Sequence, residues 1–448
     1  MTKLSIILIK PPNDYNLNPK EQQGLGILYI ASILKAKGHN VKLLDLCDKT
    51  ISASIKLIPK ADLYGFTACF LDLYNSHRLA KLIKTKYPLS KIIIGGFGPT
   101  ASSECINPKI FDSMILGEGE LAVQDLVNDA INNKKLKKYY CRELMPEKEL
   151  DSLPFPAKDL LDYQGGKIFN FGKDYSSGQS TGIMTSRGCP YNCSFCASES
   201  IWNRKVRFRN INNIIKEIEE IIKKYKIYTF KIQDDTFVLN ENRTLNFCKK
   251  IKKLNKKYRN RIVWRCYGGR VNLITEKMLI AMKNSGCKEI DFGIETGDQR
   301  ILDLMRKQTN IEQAIKAIRL AKKVGLDTRA FMMVGLPGTT KETANKDITF
   351  LKKAKPDAVN LAIFTPYPGS DIYNNPSKYN IKILIKPKNY TELYKFNKYN
   401  MHLYSKDPNK NQKSIIKINN LSSSELEQIK SKVINYVKQH KLLHIIKD

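Results

Sequence analysis

The sequence has no run of eighteen apolar residues, and its first residues show no secretory leader with a small-residue cleavage site. Arginine is scarce: it makes up 15 of the 76 basic residues, and none occurs after Arg329. Arginine is the residue favoured for bidentate phosphate contacts. A net charge of +33 that comes mainly from lysine therefore predicts solvated lysine surfaces rather than a nucleic-acid site. We therefore expect a cytoplasmic protein with no membrane span and no nucleic-acid partner.

The ten cysteines of the 448 residues do not form the dense, regular framework of a secreted disulfide-bonded domain. Three of them, Cys189, Cys193 and Cys196, lie within eight residues in a CxxxCxxC arrangement. No second Cys or His pair follows closely, whereas structural zinc needs four ligands. A cubane iron–sulfur cluster takes one cysteine per iron, so three thiolates would leave one iron open. Zinc and buried structural thiols are the alternatives.

This triplet resembles the signature of the radical S-adenosylmethionine (SAM) superfamily. The resemblance implies that the three cysteines are both catalytic and metal ligands of a [4Fe-4S] cluster, with Phe195 beside the third of them. In that superfamily the open iron chelates the amino and carboxylate groups of SAM. An electron from the cluster then cleaves the sulfur–C5′ bond reductively and gives a 5′-deoxyadenosyl radical.

Residues 1–135 alternate short apolar strands with amphipathic helices, which predicts a doubly wound, flavodoxin- or Rossmann-like parallel sheet. The predicted strands are Leu4–Ile9, Val41–Leu46, Leu63–Phe66, Lys91–Ile94 and Met114–Leu116. Ligands bind such sheets beyond the carboxyl ends of the strands. The loops there are rich in glycine, which lets a backbone approach a bulky ligand.

Taken in order, these loops resemble the cobalamin-binding domain that precedes the radical domain in one subclass of the superfamily. The implied cobalamin contacts are Thr67, Gly95, Gly96, Pro99, Thr100, Gly117, Glu118 and Gly119. The DxHxxG signature of a lower-axial histidine is absent, and Asp72 with His77 has the wrong spacing. Histidine ligation is therefore not expected, and an empty or differently used domain is the alternative.

Residues 136–180 read as a linker, because Leu153-Pro154-Phe155-Pro156 cannot continue a helix. Residues 181–375 repeat strand and helix as a partial (βα)6 barrel would, and 376–448 form a small α/β extension. The predicted barrel strands are Ile183–Thr185, Thr229–Ile232, Ile262–Cys266, Glu289–Ile294, Thr328–Val334 and Ala358–Phe364. A capping box at Ser424 and Glu427 predicts a helix near the end of the chain.

Active groups of such barrels sit at the carboxyl ends of the strands. The resemblance implies that Asp234 or Asp235 receives the amino group of SAM, although such acids are also common helix caps. It also implies that Glu295 accepts hydrogen bonds from the cofactor and that Gly335 passes beneath the adenine. Arg270 and Arg329 are candidate carboxylate contacts, with a surface ion pair as the alternative for Arg270.

Together these features predict a cobalamin-dependent radical SAM enzyme that methylates an unactivated carbon of a small-molecule or natural-product substrate. It would need an external electron donor such as flavodoxin or ferredoxin. A radical cyclase, dehydratase or rearrangement enzyme without methyl transfer is the second hypothesis. An RNA-modifying methylthiotransferase-like enzyme is the third: Cys47, Cys69 and Cys105 invite it, but no cysteine follows the first strand, so these three are expected to be buried thiols.

Overall fold

A computed structural model describes residues 2–13, 20, 23–161, 179–400, 414–418 and 421–442. Two six-stranded parallel sheets organise this part of the chain, with strand orders β2-β1-β3-β4-β5-β6 and β14-β13-β12-β11-β10-β7. Both are flanked by helices, and the second follows the chain from strand to neighbouring strand. The structure thus confirms the α/β class, with a doubly wound sheet followed by an open (βα)6 barrel. Residues 162–178 of the expected linker lie outside the described residues.

The amino-terminal domain is a sheet packed between helices. Its strands are β1 (Ser5–Lys10), β2 (Asn40–Asp45), β3 (Leu63–Thr67), β4 (Lys91–Gly95), β5 (Ser113–Leu116) and β6 (Tyr139–Cys141). Its helices are α1 (Leu25–Ala36), α2 (Ile51–Leu57), α3 (Leu73–Lys86), α4 (Phe97–Ala101) and α5 (Gly119–Ile131). The parallel strands are nearly continuous apolar runs because helices bury both faces of the sheet.

The barrel and the carboxyl-terminal extension follow. The strands are β7 (Ser180–Ile183), β8 (Ser186–Arg187), β9 (Arg207–Phe208), β10 (Thr229–Ile232), β11 (Val263–Gly269), β12 (Cys287–Glu295), β13 (Asp327–Val334), β14 (Ala358–Ile363), β15 (Ile381–Ile383) and β16 (Ile416–Ile418). The helices are α6 (Glu199–Trp202), α7 (Ile211–Tyr225), α8 (Glu241–Lys257), α9 (Glu276–Asn284), α10 (Gln299–Leu304), α11 (Ile311–Lys323), α12 (Thr343–Ala354), α13 (Asp371–Asn374), α14 (Leu393–Asn400) and α15 (Ser423–Gln439).

The two domains meet at the carboxyl ends of their strands. Phe70, which follows β3, packs edge-on against Phe396 with ring centroids 4.9 Å apart, and against Tyr367, which follows β14, at 6.4 Å. A Cβ atom on Gly369 would lie 2.8 Å from Ser200 and 3.3 Å from Ala101, so the end of α4 also touches the barrel. The ligand-binding edge of the first sheet therefore faces the mouth of the barrel.

The open barrel leaves β7 as an edge strand, and polar side chains from outside the barrel satisfy its backbone. Gln23 donates to the carbonyl of Ser180 at 3.0 Å and accepts from Thr181 Oγ1 at 2.7 Å. Lys158 of the linker donates to the carbonyl of Gly182 at 2.8 Å. Burial lowers the pKa of Lys158 to about 8. These contacts fasten the amino-terminal domain and the linker to the first strand of the barrel.

Most predicted strands are confirmed to within a few residues. Two predictions name the wrong residues. The first barrel strand is Ser180–Ile183, not Ile183–Thr185, because Thr185 turns away to bond Asp234. The capping box of α15 is formed by Ser422 and Glu425, not by Ser424 and Glu427. The hydroxyl of Ser422 accepts a hydrogen bond from the N–H of Glu425, and the carboxylate of Glu425 accepts one from the N–H of Ser422.

No helix among the described residues is long and apolar enough to cross a membrane.

Candidate active site between the two domains

The three cysteines of the triplet share one loop after β8, and none of their thiols is deeply buried. The pKa of the Cys196 thiol is raised, first by its partial burial and then by the nearby Cys193 and Cys189, so the three thiols influence one another. Between them, Ser194 is anchored to the barrel: its N–H donates to the carbonyl of Met305, and its carbonyl accepts from Ile372, both at 3.0 Å.

Five other cysteines are deeply buried and are poor ligand candidates, whereas Cys69 is only partly buried and Cys141 is exposed. Burial raises the pKa of Cys47, Cys105 and Cys248 to about 12, and raises that of Cys266 and Cys287 well above the usual value. In the described ranges, no three His, Cys, Asp or Glu side chains are arranged to hold a single metal ion. The donor set of the triplet, three accessible thiols on one anchored loop, fits a cluster that takes one thiolate per iron.

Asp234 supports this loop rather than a cofactor. Its side chain is buried, and its two oxygens accept hydrogen bonds from the Thr185 N–H at 2.6 Å, the Thr185 hydroxyl at 2.5 Å and the Ser186 hydroxyl at 2.6 Å. Both donors lie just before the triplet. The structure therefore does not support the predicted contact of Asp234 with the amino group of SAM.

Asp235 holds the same loop from the other side. The backbone N–H of Gly188 and the indole of Trp202 lie near its carboxylate and oppose the rise of its pKa that burial and Asp234 cause. Gly188 has a φ of 91°, and a Cβ atom there would lie 2.1 Å from the carbonyl oxygen of Lys205, so only glycine fits. Asp235 is exposed, so its predicted contact with the cofactor stays a prediction.

A buried ion bridge joins the turn after β5 to the cysteine loop. Arg187, two residues before Cys189, donates to Glu118 and to Glu120 at 2.6 Å each. Arg207 donates to the other oxygen of Glu118 at 2.7 Å. All four side chains are less than a tenth exposed. Glu118, predicted as a cobalamin contact, thus couples the first domain to the segment that carries the thiols.

Arg270 also braces the cysteine loop. Its guanidinium lies over the ring of Tyr191, 3.3 Å from the ring centroid, and donates to the carbonyl of Lys307. Tyr191 stands between the first two cysteines of the triplet. The predicted surface ion pair is wrong because Arg270 is buried between two segments of backbone and an aromatic ring. Contact with a bound carboxylate stays a prediction, since the Nε of Arg270 has no hydrogen-bond partner among the described residues.

Glu295 lies at the carboxyl end of β12, as the sequence predicts, and pairs with Lys307 at 2.6 Å. The ammonium of Lys307 lies 5.6 Å from the ring centroid of Phe195, so the pair reaches the cysteine loop. The backbone of Glu295 is left-handed, with a φ of 71°, which is rare for residues other than glycine and clusters at functional sites. A Cβ atom on Gly293 would lie 2.8 Å from Glu295 Oε1, so glycine leaves room for the carboxylate.

Arg329 and Gly335 both contact other parts of the chain. Arg329 is buried inside the barrel, where it donates to Glu289 at 3.1 Å. A Cβ atom on Gly335 would lie 3.1 Å from Leu426 of α15, so this side of Gly335 faces the carboxyl-terminal extension. Its predicted position beneath the adenine stays a prediction. The predicted contact of Arg329 with a bound carboxylate stays a prediction.

The edge of the first sheet offers an open surface at Thr67, Gly95, Thr100, Gly117 and Gly119, all partly exposed. Gly117 has a φ of 74° and open space where a Cβ atom would stand, and its N–H donates to Thr100 Oγ1 at 2.9 Å. This glycine-lined edge fits the approach of a bulky ring.

Two residues of that loop have packing roles instead. Pro99 is buried, so its predicted cofactor contact is not supported. A Cβ atom on Gly96 would lie 2.9 Å from the carbonyl oxygen of Ala68, so glycine is required there for the loops after β3 and β4 to pack together.

His77 is not available to a metal. Its Nδ1 bonds the carbonyl of Leu73 at 2.7 Å, and its Nε2 accepts from the N–H of Asn107 at 3.1 Å. The ring stacks on Tyr390 with centroids 5.1 Å apart. The spacing argument that excluded His77 as an axial ligand is therefore supported by its contacts.

Comparisons with known proteins agree with this arrangement. The radical SAM superfamily profile matches residues 183–351, and the B12-binding domain profile matches residues 20–127. An uncharacterised methyltransferase of Pyrococcus horikoshii is 30% identical over 417 residues, which cover 88% of this chain and 87% of that protein. The chain belongs to the radical SAM superfamily, in the subclass with an amino-terminal B12-binding domain. This radical SAM enzyme thus belongs to a family whose cofactors are a [4Fe-4S] cluster, SAM and cobalamin.

Further relatives carry two kinds of name. Cytidylyl-2-hydroxyethylphosphonate methyltransferase of Streptomyces wedmorensis is 24% identical, with 79% of this chain and 78% of that protein covered. Anaerobic magnesium-protoporphyrin IX monomethyl ester cyclase of Rubrivivax gelatinosus is 26% identical, with 78% and 65% covered. Among solved structures, the methyltransferase TsrM of Kitasatospora setae has a TM-score of 0.70 at 14% identity, covering 99% of this chain and 91% of that chain. That likeness confirms the fold of the radical SAM enzyme.

Sequence reasoning missed the residues that hold the site together. Arg187, Arg207, Tyr191 and Lys307 carry no motif of their own. Arg187 lies beside the triplet and Tyr191 lies inside it. A charged or aromatic residue in such a short ligand loop indicates a contact with another part of the chain.

The ion bridge gives the first prediction. Glu118→Gln removes the carboxylate that Arg187 and Arg207 share and leaves buried cationic charge uncompensated, which costs about 3 kcal/mol or more. We expect urea unfolding at a clearly lower midpoint and less iron bound per chain after anaerobic reconstitution. Asp125→Asn is the matched control, because its partner Arg142 is 55% exposed and exposed ion pairs contribute little to stability. Equal losses in both variants would contradict the role of the bridge.

His77 gives a prediction on pH. Burial lowers its pKa from 6.5 to about 4, so the unfolded chain takes up the proton first as pH falls. The stability that His77 contributes is complete above about pH 6.5 and is lost between there and about pH 4, by about 3 kcal/mol. We expect His77→Gln to flatten the pH dependence of the free energy of unfolding in this window, measured on the apoprotein. An unchanged slope would show that the buried imidazole does not titrate as its contacts require.

Proposed function

We propose that this radical SAM enzyme is a cobalamin-dependent methyltransferase that methylates a carbon atom of a small molecule. The observation that carries the proposal is the meeting of the two strand edges: the glycine-lined edge of the first sheet faces the loop with the three thiols. The ion bridge from Glu118 to Arg187 fixes that arrangement at its centre. Relatives named as methyltransferases support the same reaction class.

The residues present indicate which groups would hold each cofactor. Cys189, Cys193 and Cys196 would ligate the cluster, and Glu295 with Lys307 would lie beside SAM. The edge at Gly117, where a Cβ atom would meet open space, would receive the corrinoid. When bound, the cluster supplies the electron that cleaves SAM, and cobalamin carries the methyl group.

The chain's own part is to position these groups and to keep water from them. The aromatic cluster of Phe70, Tyr367 and Phe396 closes one side of the space between the domains. Asp234 and Asp235 fix the thiol loop, and Arg270 holds it by way of Tyr191. A loop held at this many points loses little freedom when a cluster binds, which favours preorganisation.

The test compares cysteine variants under anaerobic conditions. The reconstituted protein, given a chemical reductant, hydroxocobalamin and SAM with a deuterated methyl group, is expected to release 5′-deoxyadenosine or S-adenosylhomocysteine and to label its cobalamin. Cys196→Ala should reduce bound iron and bring these products to background, because one iron loses its ligand. Cys141→Ala is the control, since Cys141 is an exposed thiol outside the triplet.

Product analysis decides the reaction class. Incubation with a small-molecule extract of the source cells should yield a metabolite that carries three deuterium atoms. Release of 5′-deoxyadenosine with a changed but unlabelled metabolite would contradict methyl transfer and favour the cyclase-like alternative. Full activity in Cys196→Ala would contradict the cluster assignment itself.

A further inference from the structure

A buried hydroxyl lies against the first thiol of the triplet. The Oγ1 atom of Thr236 is 3.4 Å from the sulfur of Cys189, which is within hydrogen-bond distance for a sulfur atom. Thr236 follows β10 and is 5% exposed, whereas Cys189 is partly exposed. The contact therefore joins the barrel to the cysteine loop at a ligand atom, and neither cluster ligation nor SAM binding accounts for the hydroxyl.

The segment that carries Thr236 is held firmly on two sides. Asp234, two residues earlier, accepts hydrogen bonds from Thr185 and Ser186 just before the triplet. Gly268, near the end of β11, has a φ of 80°, and a Cβ atom there would lie 2.7 Å from the carbonyl oxygen of Asp234. Only glycine lets β11 pack so closely on this segment. The branched Cβ atom of threonine restricts rotation about χ1, so the hydroxyl of Thr236 has few directions open to it.

Ligation of a metal decides which of the two atoms donates. In the free protein either atom can be the donor, because a thiol and a hydroxyl each carry a proton. A thiolate bound to iron has no proton and can only accept. The hydroxyl of Thr236 then donates to a charged sulfur, and hydrogen bonds to ionised acceptors are stronger than those between neutral groups.

The third thiol has a different neighbour. The backbone N–H and the hydroxyl of Ser198 lie near Cys196 and oppose the rise of its pKa that burial causes. Ser198 is partly exposed and belongs to the cysteine loop itself, so water competes for its hydroxyl. Thr236 is largely shielded from water, and the low local dielectric strengthens its bond to Cys189.

We propose that Thr236 raises the reduction potential of the cluster by donating an O–H···S hydrogen bond to the Cys189 thiolate. Reduction adds one electron, from [4Fe-4S]²⁺ to [4Fe-4S]⁺, and the hydroxyl keeps its proton throughout. The added negative charge strengthens the hydrogen bond, and bonds to the sulfurs are among the factors that set the potential of such clusters. Thr236 acts through Cys189 and is a positioning residue. The inference rests on the proposed ligation of the cluster by Cys189 and does not depend on methyl transfer.

A redox titration of the reconstituted protein without SAM tests this role. Dithionite supplies the electrons, and electron paramagnetic resonance measures the reduced cluster. Thr236→Val removes the hydroxyl and keeps the branched shape. We expect the ratio of reduced to oxidised cluster to fall about three- to tenfold at a given potential, which lowers the midpoint by about 30 to 60 mV for a one-electron couple.

Two further variants separate the hydroxyl from the packing around it. Thr236→Ser keeps the hydroxyl and should retain most of the wild-type potential. Thr229→Val makes the same change at a buried threonine at the opposite end of β10, so its midpoint should equal that of the wild type. If Thr236→Val binds less iron, Thr236→Ala, which only removes atoms, is titrated in its place with the same expected result.

The outcomes distinguish this inference from the proposed function. An unchanged midpoint in Thr236→Val at equal iron content would overturn the inference, and so would equal shifts in Thr236→Val and Thr236→Ser. Loss of iron in both Thr236→Val and Thr236→Ala would overturn it too, because the hydroxyl would then be needed for assembly of the site. A wild-type protein without a cluster signal would instead refute ligation by the triplet, and a normal titration without methylated product would refute methyl transfer alone.

Discussion

The structure depends on one buried interaction, the ion bridge in which Glu118 of the first domain holds both Arg187 and Arg207 of the second. Four charged side chains taken out of water favour one arrangement of the domains, because any other leaves charge unpaired in an apolar interface. Arg187 stands two residues before Cys189, so the position of the first sheet is transmitted directly to the thiol loop. The bridge therefore sets the distance between the two cofactor edges.

Around that bridge, charged residues act as supports more than as ligands. Asp234, Asp235 and Arg270 all contact the backbone or side chains of the cysteine loop. A fixed loop of this kind suits a radical enzyme, because the cluster must keep its position relative to the molecule that reacts.

The fold and the cysteine triplet could be predicted from the sequence, whereas the partners of the acidic residues could not. Strand periodicity located β3, β10 and β13 closely, since buried parallel strands are continuous apolar runs. By contrast, Asp234 and Glu118 sit in motifs that look like ligand sites, and only the three-dimensional packing of Thr185 or Arg187 against them reveals a supporting role. Ion pairs between residues far apart in the sequence leave no periodic pattern, so the contacts of Lys307 and Arg207 could not be predicted.

The central claim is that the corrinoid edge and the cluster loop face each other across a fixed interface. Electron paramagnetic resonance of the protein loaded with cob(II)alamin tests it most directly, by comparing the spin relaxation of cobalt with the cluster oxidised and reduced. The account predicts much faster relaxation of cobalt when the cluster is paramagnetic, and weaker coupling in Glu118→Gln. Relaxation that is unaffected by the state of the cluster would place the two centres far apart and contradict the account.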